Sequence, residues 1–354
     1  MPYCITPLKV GYLKTKQRRN YVKRSKSGTI GGKSDKRSKI GEFPRPLFAS
    51  VMGLSGLTIA WYKGHEVLNL PSEISDGLRY LTTLIWLLLF VIYLFKGIRF
   101  PQQVKADSMH PIKMNFLTAI SIGLLLLSVA WKPASIAVSQ SLWMVGAILH
   151  LGFTFFVVDR WIFKSQFKLA QITPAWFIPV VGNIIVPVVG VNYAPSDVNW
   201  FFFSIGFLFW IVLLTLVLHR MFFADPLPTK LNPTLFVLIA PPAVGFISYT
   251  KLVGELVPFG QILYFFAMFW TLFLALKVRV FLNTPFFLSA WGYSFPLAAF
   301  SIASLEMSGL ANIETALYYR IIGSVMLIIS TLIITYLTVR TLREIINGSV
   351  FQPD

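Results

Sequence analysis

Ten stretches of this chain contain no Asp, Glu, Lys or Arg and, with their flanking residues, are long enough to cross a lipid bilayer. They cover 46–62, 80–95, 114–131, 133–158, 169–196, 198–219, 231–250, 256–276, 280–305 and 321–339. A spanning helix needs about 20 apolar residues, with a range of about 17 to 25. Lipid cannot satisfy the polar groups of an irregular backbone, so such spans fold as helices. Only 13% of the residues are charged, about half the ~25% usual in a soluble domain. A soluble helical protein would need ten helices apolar on every side, which is a membrane pattern. The predicted fold is therefore an all-α membrane protein of ten transmembrane helices.

The basic residues orient those helices. With a cytoplasmic N-terminus, 26 of the 31 Lys and Arg lie on the cytoplasmic side. That asymmetry is the positive-inside pattern, and it places both termini in the cytoplasm. Of the 26, 13 fall within residues 1–45, among stretches such as "KRSKSGTIGGKSDKRSK". The segment has no apolar core, so no cleavable signal peptide is expected. We expect 1–43 to be a disordered basic tail, attracted weakly to anionic headgroups. Nucleic-acid binding is not expected, because no fold or aromatic interleaving supports it. "GTIGGKS" falls one residue short of a phosphate loop and follows no strand. Ser25, Ser27, Ser34 and Ser38 sit among basic residues, a context too common to imply phosphorylation. Cys4 is the single cysteine, which excludes an internal disulfide and a thiolate metal cluster within one chain.

The odd-numbered windows share an opening. "RPLFASVMGLSG", "HPIKMNFLTAISIG", "TPAWFIPVVGN", "NPTLFVLIAPPAVG" and "TPFFLSAWGYSFP" each begin with a polar or charged residue and a proline. The prolines are Pro46, Pro111, Pro174, Pro233 and Pro285, at intervals of 65, 63, 59 and 52 residues. Proline suits a first helical turn, where its missing N–H is no loss. Further on, each window carries a helix weakener: Gly53 or Gly56, Gly123, Gly182, Gly245 and Pro296. The even windows are Leu, Ile, Val and Phe throughout. The pattern predicts five helical hairpins within 44–345 and a short cytoplasmic C-terminus, 346–354. Broken helices expose backbone that lipid cannot satisfy. The five odd helices should therefore form an inner ring around a pore, and the five even helices should face lipid.

These residues carry a resemblance. "FPRP…MGLSGLTIAW", "HPIKMNF" and above all "WGYSFPLA" resemble the bacterial tellurite-resistance protein TehA and the slow anion channels of plant guard cells, over roughly 44–345. The group is the voltage-dependent anion channel and malic acid transport superfamily. The resemblance implies a homotrimer in a bacterial inner membrane or plasma membrane. It also implies an anion pore of five hairpins blocked by a phenylalanine of the ninth helix, whose place Phe295 occupies.

The residues themselves add a constraint. The odd windows hold no charge, so an anion in the pore loses water without gaining a countercharge. Weakly hydrated monovalent inorganic anions should pass better than sulfate. Ser121 and Asn183 are the few mid-helix polar side chains on odd helices; each is a candidate pore group or a helix-packing residue. His65, His110, His150 and His219 show no metal spacing, and no catalytic motif appears. We expect no cofactor, no metal and no enzyme. Glu306 ends the ninth window at the outer face, where an acid disfavours anions unless it points away from the axis. Two functional classes remain: a gated anion channel, or a secondary transporter of organic acids or oxyanions such as tellurite, a C4-dicarboxylate or sulfite.

Overall fold

The computed structural model describes residues 40–164 and 167–351, and residues 1–39 of the basic tail, with Cys4 and its serines, lie outside the described residues. Every regular element among the described residues is helical. In chain order they are α1 (Phe48–Leu68), α2 (Ser72–Arg99), the short α3 (Pro101–Met109), α4 (Ala119–Trp131), α5 (Ile136–Phe163), the fragments α6 (Phe177–Val181) and α7 (Pro187–Gly190), α8 (Ser196–Phe223), α9 (Ala240–Val253), α10 (Pro258–Leu276), the short α11 (Val278–Leu282), α12 (Ser294–Leu310) and α13 (Ile313–Asn347).

Among the described residues, seven helical runs are long and apolar enough to cross a membrane. Three of the ten windows give lesser runs. Small residues, Lys63 and His65 dilute α1, α12 has 17 residues, and Pro174–Gly190 is broken into short pieces. The long runs differ in burial. Lys113–Trp131 and Thr229–Val253 are 78% and 67% buried inside the protein, whereas the other five are 22% to 33% buried. The latter bury one stripe and present Leu, Ile, Val and Phe outward, as at Leu84, Leu88 and Val91 of α2. Apolar faces of that extent suit lipid, not water.

The proline openings produce a repeated local structure. Runs of 3-10 helix, at Arg45–Leu47, Lys113–Thr118, Pro174–Trp176, Thr229–Leu238 and Leu288–Tyr293, precede α1, α4, α6, α9 and α12. Proline cannot supply the N–H of an α-turn, and the tighter i→i+3 pattern takes over. Side chains then serve carbonyls within or beside the 3-10 segments. Ser50 Oγ donates to Leu47 O at 2.6 Å, Thr118 Oγ1 to Asn115 O at 2.8 Å, and Asn183 Nδ2 to Val180 O at 2.8 Å. Thr234 Oγ1 donates to Leu231 O and Ser294 Oγ to Trp291 O, both at 2.6 Å. Each bond reaches back three residues, as a donor must where lipid offers none.

Among the expected helix weakeners, only Gly182 coincides with an interruption of the α-helix. The α-helix runs unbroken through Gly53, Gly56, Gly123 and Gly245. Only Gly182 opens a break, the 3-10 run Gly182–Ile185 between α6 and α7. Pro296 is the third residue of α12, where the missing N–H is tolerated, and the change of helix type precedes it at Ser294. A single glycine costs about 1 kcal/mol in a helix but does not by itself bend it.

Close glycines instead mark helix contacts. A Cβ at Gly123 would sit 2.8 Å from Trp86 of α2, at Gly146 3.1 Å from Leu124 and Leu125 of α4, and at Gly323 2.7 Å from Leu305 of α12. The packing forms a circuit: α1 on α4, α4 on α7, α7 on α9, α9 on α12, and α12 on α1. Each long outer helix packs against neighbours in it: α2 on α1 and α4, α5 on α4 and α6, α8 on α6 and α9, α10 on α9 and α12, α13 on α12 and α1. Packing extends beyond the expected boundaries at 43/44 and 345/346. Phe43 is buried, and Val350 and Phe351 pack against its cluster.

Candidate functional site

All five 3-10-opened runs converge on one apolar cavity of about 80 Å³. Met52 of α1, Ile122 of α4, Val181 and Ile185 of the broken run, Pro241 and Val244 of α9, and Phe295 of α12 line it. Every lining residue is aliphatic, aromatic, Met, Pro or Gly, without a charge or a side-chain hydroxyl.

Phe295 is the second residue of α12 and is 7% exposed. Its position is fixed from two sides. Trp291, one turn earlier, donates from Nε1 to Thr341 Oγ1 of α13 at 2.9 Å. Across the contact, α1 offers two glycines. A Cβ at Gly56 would lie 3.0 Å from the Phe295 ring, and one at Gly53 would collide with Ser294. These glycines make room for α12 against α1. Gly182 makes room for His150, whose Cε1 would lie 2.6 Å from an added Cβ. Gly245 has only ordinary contact with Leu263 at 3.6 Å, so no close approach explains it.

Ser121 and Asn183 lie outside the cavity lining. Ser121 Oγ hydrogen-bonds His150 Nδ1 at 3.0 Å, and Asn183 Nδ2 donates to Thr154 Oγ1 at 3.0 Å. Both partners belong to α5. The two polar side chains thus tie the circuit to an outer helix and leave the cavity uncharged and apolar.

Polar groups lie at either end. A cavity of about 650 Å³ gathers the openings of the same runs, with Arg45, Lys113, Lys230 and Leu288 in its lining. Arg45 is 1% exposed and donates to Val104 O and Ser108 Oγ, each at 2.7 Å. Lys96 donates to Phe43 O at 2.9 Å and pairs with Asp107 at 2.8 Å. At the opposite ends of the helices Glu306 of α12 pairs with Lys63 of α1 at 2.6 Å and with Lys251 of α9. Sequence patterning revealed none of these pairings. Lys63 and Glu306 are 243 residues apart, and only the packing brings them together.

The profile described as SLAC1, voltage-dependent anion channel, matches residues 42–342. The S-type anion channel SLAH3 of Arabidopsis thaliana is 27% identical over 307 residues, covering 85% of this chain and 48% of that protein. The chain thus spans about half the length of that plant relative. The uncharacterized transporter MJ0762 of Methanocaldococcus jannaschii is 24% identical, covering 89% of this chain and 98% of that one. The tellurite resistance protein TehA homolog of Haemophilus influenzae is 22% identical, covering 87% and 93%. With this match over most of its length, on an all-helical scaffold carrying membrane-length apolar helices, the chain belongs to the SLAC1 family of voltage-dependent anion channels.

Proposed function

We propose that this protein is a gated anion channel whose pathway runs through the apolar cavity at Phe295. The observation that carries the proposal is the convergence of all five proline-opened runs on that one uncharged cavity. In this reading the chain makes ten passes as five hairpins, with α1, α4, the α6–α7 run, α9 and α12 inside and the long smooth helices against lipid. The circuit of contacts and the unequal burial of the runs support it. Trimeric assembly belongs to the same proposal and rests on the resemblance alone.

Phe295 is the block. The space of about 80 Å³ is apolar throughout, so water entering it finds few hydrogen-bond partners. A dry apolar constriction stops ions without needing charge. Opening requires the Phe295 ring to leave the constriction.

Selectivity then follows dehydration. Nitrate, bromide and iodide should permeate at least as well as chloride, and sulfate poorly. Reversal potentials of the purified full chain in planar bilayers under bi-ionic conditions check this. A preference for sulfate or a dicarboxylate would reject the uncharged pathway, and flux that saturates and needs a proton or sodium gradient would favour a transporter.

The orientation has its own check. Cys4 is the only thiol, so a membrane-impermeant maleimide should label it from the cytoplasmic face and not from outside intact cells. Labelling from outside would invert the proposed topology.

A further inference from the structure

The triad of Lys63, Lys251 and Glu306 ties three members of the circuit together at the ends remote from the 650 Å³ cavity. Glu306 bonds Lys63 at 2.6 Å and Lys251 on its other oxygen, so one carboxylate spans from α1 to α9 across α12. Its side chain is 11% exposed, against 20% for Lys63 and 41% for Lys251. The acid is therefore turned in among the circuit helices, away from the outward apolar faces. Glu66 also pairs with Lys63, at 3.0 Å. Lys132, which caps α4 at the same end, donates to Asn192 Oδ1 at 3.3 Å. This end of the circuit thus gathers three lysines and two glutamates from α1, the cap of α4, α9 and α12. Removal of one acid charge doubles its net positive charge.

Position along the helix links this cluster to the pathway. Glu306 lies eleven residues beyond Phe295 on α12, about 16 Å at 1.5 Å per residue. Lys63 lies eleven residues beyond Met52, and Lys251 seven beyond Val244. Three of the helices that line the cavity thus carry these charges at their far ends.

We propose that Glu306 sets the electrostatic potential of this outer mouth and so determines how readily anions reach the pathway from that side. The inference rests on the channel proposal above. With Glu306 ionised, Lys63 and Lys251 are held paired and attract a passing anion weakly. With its charge removed, both lysines face the mouth, and low-dielectric walls focus their field. One unit charge at about 10 Å in water changes local anion concentration roughly two-fold. Lys63 and Lys251 act with the opposite sign.

The test uses the full chain in planar bilayers, with Phe295→Ala as the conducting background. Glu306→Gln should raise anion current from the outer side by roughly two-fold at ~10 mM salt, where the Debye length is about 30 Å, and hardly at ~1 M, where it is about 3 Å. Current from the inner side should change less, so rectification shifts. Lys63→Gln and Lys251→Gln should each lower the same current at low salt. If all three variants change current in the same direction, or the change persists at ~1 M salt, the triad is only a structural staple and the inference falls alone. If neither wild type nor Phe295→Ala passes anions, the channel proposal falls and takes this inference with it.

Discussion

Replacing Phe295 by alanine is expected to raise anion conductance on the order of ten-fold, equivalent to removing about 1.4 kcal/mol of barrier. The ring borders the apolar space on which all five proline-opened runs converge, so its loss should enlarge that space directly. Burial sets the competing cost. Deleting a well-packed core phenylalanine costs about 3–5 kcal/mol. Phe295 already faces a cavity on one side and meets glycine on another, so the loss should fall below that range and leave assembly intact. Phe295→Leu should conduct at an intermediate level. Phe300 is the control. It is 2% exposed and stacks on Tyr264 with ring centroids 5.7 Å apart, outside the cavity lining. Phe300→Ala should lower thermal stability in detergent without raising current. Single-channel recording with size-exclusion chromatography separates the two effects. A normally folded Phe295→Ala protein that conducts like wild type would return Phe295 to a packing role.

The second large effect should come from Gly206 of α8. A Cβ there would lie 2.8 Å from the backbone nitrogen of Ile184 and 2.6 Å from its Cγ1. Backbone atoms of the broken run cannot swing aside as a flexible side-chain end can. Small residues let membrane helices approach closely where no hydrophobic force draws them together. Gly206→Ala should therefore cost about 1–3 kcal/mol by overpacking, and Gly206→Val more. Gly152 of α5 has nothing within 4 Å of its added Cβ, so Gly152→Ala should be neutral or slightly stabilising by helix propensity. Thermal midpoints of the detergent-solubilised proteins compare the three. Equal midpoints for Gly206→Ala and wild type would mean that α8 does not hold the break in place.

The spacing of charges and prolines carries the class of this protein. An apolar window can satisfy its backbone in lipid only as a helix, so the all-helical membrane scaffold is legible residue by residue. The proline openings mark the 3-10 runs for the same local reason: a missing N–H acts within one turn. The weakeners were less informative. Gly53, Gly56 and Gly123 look like breaks in one dimension, yet each accommodates a neighbouring side chain: Ser294, Phe295 and Trp86. Helix propensity is a local quantity of about 1 kcal/mol, and tertiary packing overrides it.

Ser121 and Asn183 show the same limit. Sequence places them on the right helices, but which way a side chain turns depends on what lies beside it. His150 and Thr154 of α5 draw them away from the cavity. Glu306 is the sharpest case. Alone on its window it reads as an acid at odds with anion passage, while the fold sets it between two lysines contributed by helices distant in sequence. The sequence by itself determined the solvent of each segment, because transfer into lipid is a property of composition over about 20 residues. Only the tertiary structure decided which faces meet. The apolar cavity, its Phe295 ring and the ion pairs of Glu306 arise from contacts between runs tens to hundreds of residues apart, and local periodicity carries no information about those distances.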